Sequence, residues 1–225
     1  MSTQHQDPRD QVIAYCAKLG TDPLLVQGAG GNVSWKAGNS LWVKASGTWL
    51  AQAHEKDIFV AVDLPHLKAA IANGDMAVTP RPASDSALRP SIETLLHALM
   101  PQTVVVHLHA IEILAHLVKA DVSKQLATKL TTKLAGKISY GLTPYRKPGA
   151  PLAQAVMAAL QQQANTQVVF LQNHGVVIGA DTVEEVDRLL QILLNAMRTE
   201  PLASISMDQA GIETLVCSDQ IYHRV

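Results

Sequence analysis

Two hydrophobic periods alternate along the chain, and the switches between them outline its elements. Val12, Ile13, Cys16 and Leu19 recur at three and four residues and predict a helix over 10–19, stopped by Gly20, which suits a left-handed cap. Residues 41–45 and 57–62 read as strands, and 64–72 as a short helix ending near Asn73-Gly74. Pro80, Pro82 and Pro90 bias the residues before them away from helix, so 79–90 is read as loop. Ser91 can cap a helix running through Leu99, with Glu93 in the first turn, where the helix dipole favours a carboxylate. Pro101 ends it. Val104-Val105-Val106 then opens a strand through His109, because β-branched side chains suit a buried pleated surface.

Helical spacing returns over 112–118 and 123–134, and 138–146 is read as irregular. Pro148-Gly149 opens a helix that carries Leu152, Val156, Met157 and Leu160. Residues 168–171 and 176–178 read as strands. In the last helix Asp181 is the predicted cap, with Glu184 completing a capping box, and an apolar stripe runs from Val183 to Met197. Pro201 closes it; no element is assigned to 202–225, and no internal repeat or low-complexity tract is present.

Composition narrows the possibilities. At 225 residues and 48% hydrophobic, the chain can bury a sizeable core, and a single domain over 1–225 is expected. A net charge of −1 leaves no basic surplus for tracking phosphates, so nucleic acid is not an expected partner. No apolar run approaches the roughly 20 residues needed to cross a bilayer. The polar start carries no signal-peptide core, and no membrane association is expected. Cys16 and Cys217 make neither a metal-ligand spacing nor a disulfide framework. A reducing, cytoplasmic setting is the expectation.

The candidate chemistry begins with His107 and His109. Two residues apart on a strand, they project from one face, and Val104, Val106 and Leu108 pack on the other. His174 sits at a glycine-bearing junction between two strands, and Glu93 opens a helix. Three imidazoles and a carboxylate suit a divalent cation such as zinc, although sequence distance alone does not join His174 and Glu93 to the pair. His97, one turn after Glu93, is placed behind the site; His116, His54 and His66 are read as packing or surface residues. The segment Gly28 to Ser34 and the triplet Ser46-Gly47-Thr48 are small, flexible and rich in donors, which suits either anion binding or tight turns.

Gly31-Asn32-Val33-Ser34, Ala45-Ser46-Gly47, Arg89-Pro90-Ser91-Ile92-Glu93, Val106-His107-Leu108-His109-Ala110 and Asn173-His174-Gly175 occur in an order and spacing that resembles the class II aldolase/adducin family. The resemblance spans about 10–198. It looks closest to the aldolase part of bifunctional rhamnulose-phosphate aldolase/dehydrogenases and to fuculose-phosphate aldolase, with no length left here for a dehydrogenase part. It implies an α/β fold of three layers, a central, mainly antiparallel β-sheet flanked by helices, and a homo-oligomer with a tetramer favoured. It also implies that His107, His109 and His174 bind zinc, that Glu93 approaches the metal and transfers the proton, and that Gly31, Asn32, Ser46, Gly47 and Ser91 hold a substrate phosphate.

The implied reaction is retro-aldol cleavage of a sugar phosphate to dihydroxyacetone phosphate and an aldehyde. Ribulose-phosphate epimerisation, methylthioribulose-phosphate dehydration, decarboxylation and a non-catalytic adducin-like assembly role remain open beside it. Two departures from the family pattern stand out. Ile92 follows Ser91 where phosphate-binding aldolases often carry a second serine, and no tyrosine aligns with those that assist proton transfer, leaving Tyr140, Tyr145 and Tyr222 as candidates.

Overall fold

The computed structural model describes residues 8–83, 85–134 and 138–199. Its centre is a seven-stranded sheet in the order β3-β2-β1-β4-β7-β6-β5. The strands are β1 (Asn32–Ala37), β2 (Ser40–Lys44), β3 (Phe59–Asp63), β4 (Val104–Leu108), β5 (Tyr140–Thr143), β6 (Val168–Leu171) and β7 (Gly175–Ala180). Only β5 and β6 pair in parallel; every other neighbouring pair is antiparallel. The helices are α1 (Arg9–Gly20), α2 (Leu64–Ala72), α3 (Thr94–Leu99), α4 (Ile111–Leu117), α5 (Val122–Leu134), α6 (Ala150–Gln162) and α7 (Val183–Met197).

Side-chain alternation along the strands divides the core between two faces. Val104, Val106 and Leu108 of β4 join Phe170, Val176 and Ile178 under α1, α4, α5 and α7. Val105, Val169, Leu171 and Val177 point the other way, against Leu96 of α3 and Leu152 and Val156 of α6. At the β2–β3 end, Leu41, Val43, Val60 and Val62 pack on that second face with Leu64 and Leu67 of α2. The result is the three-layer α/β arrangement with a mainly antiparallel sheet. No helix among the described residues is long and apolar enough to cross a membrane.

Four expectations are corrected. Asn32–Ala37 is a strand, although the glycine-rich reading covered its first residues; Val33, Ser34 and Trp35 are fully buried and pair with β4 on one side and β2 on the other. Tyr140–Thr143 is an edge strand rather than irregular, and the ladder with β6 satisfies its backbone. Helix α3 starts at Thr94, three residues beyond Ser91, whose hydroxyl accepts from the Glu93 amide at 3.2 Å. Thr182, not Asp181, caps α7, accepting from the Glu185 amide at 3.2 Å. Asp181 instead accepts from the amide and hydroxyl of Thr103. Cys217, Tyr222 and the tail that follows Pro201 lie outside the described residues.

Candidate metal centre

The site forms where the central strand pair ends. Strand β4 stops at Leu108, so His107 is its penultimate residue and His109 the first beyond it. Strand β7 lies beside β4, with His107 opposite Val177 and Leu108 opposite Val176. That register brings the β6–β7 turn, and His174 with it, to the end of β4. Asn173 enters this turn at φ +55°, a left-handed conformation that asparagine tolerates better than most residues. Gly175 follows because the turn runs against β4. A Cβ there would lie 2.3 Å from the Leu108 carbonyl oxygen and 3.1 Å from Cε1 of His107.

The three imidazoles converge, with one ring nitrogen of each within 4.8 Å of the others. Nε2 of His107 and Nε2 of His109 are 3.2 Å apart. Oε1 of Glu93 lies 3.5 Å from Nε2 of His107 and 3.4 Å from Nε2 of His174. Glu93 reaches this point from the residue before α3, on the sheet face that carries His107.

The donor set fits a tetrahedral cation. Two nitrogens each about 2.0–2.1 Å from zinc lie about 3.3 Å apart, close to the spacings found here. His107 is in the matching tautomer: its Nδ1–H donates to the Val176 carbonyl at 3.1 Å, which leaves the Nε2 lone pair facing its neighbours. Burial holds the histidines neutral, as ligands must be. Burial and then the neighbouring His109 push His107 down to about 3, and burial with His107 pushes His174 down to about 4. His109 is lowered by burial as well. Glu93 moves the other way. Burial raises its pKa, while His174, His109 and Lys44 oppose the rise.

A cleft of about 230 Å³ opens onto these atoms. Gly31, Asn32, Ser46, Gly47 and Ser91 all line it, together with Glu93, His109 and His174. The two glycine-bearing loops and the start of α3 therefore meet around one space, which their separation in sequence did not reveal. Asn32 is 2% exposed, and its Oδ1 has no hydrogen-bond partner among the described residues. Ile92 is 69% exposed at the rim, where a serine would have offered a hydroxyl.

His97 is fully buried and shares a 2.8 Å hydrogen bond with Ser34, so it braces α3 against β1. His116 is a packing residue, bonded to Gln125 and to the Met197 carbonyl. Tyr140 and Tyr145 do not line the cleft, and Tyr222 lies outside the described residues. Tyr140 packs edge-on against Phe170 in the α1/α4/α5/α7 layer, and Tyr145 is half exposed elsewhere. Lys44 was missed. It lines the cleft at the end of β2, and the only signal was a lysine closing an otherwise buried strand just before Ser46-Gly47.

A three-layer α/β fold with three histidines and a glutamate gathered at the ends of its central strands defines a class, and residues 10–200 match the Class II Aldolase and Adducin N-terminal domain. The chain belongs to this family. It is 28% identical over 184 residues to the uncharacterized oxidoreductase YuxG of Bacillus subtilis (strain 168), covering 74% of this chain and 25% of that protein. The chain thus spans about a quarter of the length of the curated relative it matches. The N-terminal class II aldolase domain of a conserved protein from Thermoplasma acidophilum superposes with TM-score 0.70 at 28% identity, over 88% of this chain and 95% of that one. A sugar-phosphate aldolase from Thermotoga maritima shares the fold, with TM-score 0.63 at 16% identity over 93% and 96% of the two chains.

Proposed function

We propose that this chain is a divalent-metal-dependent aldolase, with zinc the favoured ion. Its substrate is a ketose phosphate of the rhamnulose or fuculose type, cleaved to dihydroxyacetone phosphate and an aldehyde. The observation that carries the reading is the approach of Oε1 of Glu93 to within 3.5 Å of two neutral imidazoles at the mouth of a small cleft. His107, His109 and His174 would hold the cation, with Glu93 beside it. When bound, the cation supplies Lewis-acid stabilisation of negative charge on substrate oxygens.

Glu93 moves the proton at Oε1. Its burial favours the neutral acid, while His174, His109 and Lys44 favour the carboxylate, opposing influences suited to a group that takes and returns a proton. Ser91 accepts from the Glu93 amide, which leaves its own hydroxyl proton available to a ligand. Gly31, Asn32, Ser46 and Gly47 complete the wall that orients the phosphate end and so fixes the reactive carbons relative to Glu93. The fold shared with the Thermotoga sugar-phosphate aldolase is consistent with this substrate class.

Incubation with a panel of ketose phosphates, with product analysis and metal assay, tests the reading. Dihydroxyacetone phosphate and an aldehyde are expected from at least one substrate. Failure to release either from any substrate removes the aldolase, and a protein with no stoichiometric metal points instead to an adducin-like assembly role. His109→Ala should release the metal. Glu93→Gln should retain it while turnover falls at least about 100-fold; full activity in that variant contradicts the proton-transfer role.

A homo-oligomer, with a tetramer favoured, belongs to the same reading. Leu24 and Ile111, joined by a backbone hydrogen bond, and Val118 at the end of α4 are exposed apolar residues that would gain from a partner surface. Sedimentation of the same preparation checks it.

A further inference from the structure

We propose that the cavity next to the metal cleft is a second ligand site, built for a small organic acid with an apolar body, whose carboxylate is held by Arg89 and whose body covers Ile92. The site shares one corner with the metal centre and stands independently of the aldolase reading.

The cavity, of about 590 Å³, is enclosed by residues 76–80 after α2, 89–92 before α3, Leu95 of α3, and 148–150 at the head of α6. Small-molecule sites have volumes of roughly 300–1,000 Å³ and combine an apolar lining with a few polar groups that fix orientation. Met76 and Leu95, buried members of the cluster that contains Leu41 and Leu67, supply part of the apolar lining, and Val78 packs against the same cluster. Ser91, Ile92 and Pro148 line both this cavity and the metal cleft, so Ile92, 69% exposed, stands at the corner where the two meet. A Cβ on Gly149 would lie 3.4 Å from Cγ1 of Ile92, which places that side chain against the head of α6. An isoleucine so open to water gains when a ligand covers it.

Arg89 supplies the charge. It is exposed on the lining, and among the described residues it forms no ion pair. No acidic side chain lines the cavity, so its charge complements an anion. The planar fork of a guanidinium matches a carboxylate through two parallel bonds. Apart from Arg89, only Thr79 and Ser91 bring polar side chains to the lining, too few for a polyol and enough for an acid with an apolar body. The backbone carries the site's influence into the cleft. The Arg89 carbonyl accepts from the Ser46 amide at 2.9 Å, and the Ser91 hydroxyl oxygen accepts from the Glu93 amide at 3.2 Å. A bound acid therefore grips residues that also fix two sides of the metal cleft.

The test titrates octanoate into zinc-loaded protein labelled with ¹³C in its methionine methyl groups. The Met76 methyl resonance, identified by its loss in Met76→Leu, should shift saturably, while that of Met197, buried in the other layer, should not. Octanamide, which has the same chain without the charge, should bind wild type about fivefold or more weakly than octanoate, and Arg89→Gln should weaken octanoate by a similar factor. Ala77→Trp, which fills the cavity from an exposed position on its lining, should abolish the Met76 shift. An unmoved Met76 resonance, as a face covered by a second copy would give, overturns the proposal. So does equal binding of octanoate and octanamide to wild type, or binding undiminished in Ala77→Trp. The experiment requires no turnover, so its failure leaves the aldolase reading untouched.

Discussion

Gly175 shows how one atom conditions the centre. The Cβ that alanine would add lies 2.3 Å from a β4 carbonyl, 3.1 Å from His107 and 3.2 Å from His109, so the turn must lift or the imidazole pair must move. Gly175→Ala should cost about 1–3 kcal/mol, the usual range for overpacking, and should weaken zinc binding together with stability. Urea denaturation and a zinc titration check this; a variant with wild-type values for both would mean the turn has slack. At this scale the sequence was informative about residue types. His107 and His109 could be paired from strand periodicity alone, and the glycine beside His174 marked a junction. Lys44 stayed hidden, because a lysine closing a strand gives no sign of facing inward until one loop before it and one after it fold over it.

Regular elements follow their local chemistry wherever periodicity runs long enough. Helix α7 carries its apolar stripe over fifteen residues and lies where the pattern put it. Its start differs by one residue because two neighbouring side chains can both cap, and tertiary contact decides between them. Asp181 is drawn to Thr103 at the head of β4, leaving Thr182 to receive the Glu185 amide. Thr182→Ala should therefore lower stability by about 1 kcal/mol through loss of the cap, measurable as a shifted urea midpoint. Strands β1 and β5 were the elements not legible in advance. The first begins inside a glycine-rich run, and the second is a four-residue edge whose strand character comes from pairing with β6 rather than from its own side chains.

The whole molecule sets the protonation of the site and hence its pH response. In the metal-free protein His107 and His174 are pushed down to about 3 and about 4, against about 6.5 in an unfolded chain. Below about 6.5 the unfolded chain takes up protons that the folded one refuses. The stability is therefore fully present above that pH and is lost as pH falls toward 4 and then 3. Each histidine steepens the decline by about 1.4 kcal/mol per pH unit. Urea midpoints of metal-free protein between pH 7 and pH 4 should show this slope, and His174→Gln should make it shallower; an unchanged slope would place the acid sensitivity elsewhere.

The sequence by itself determined the alternation that separates the two faces of the sheet, most helices, and the kinds of group available for metal and anion chemistry, because these depend on neighbours within a few residues. Only the tertiary structure decided that Glu93, the β4 pair and His174 share one point, that two distant loops enclose the same cleft, and that a lysine lies beneath them. Those distances depend on strand order and register, which long-range pairing fixes and local pattern does not encode.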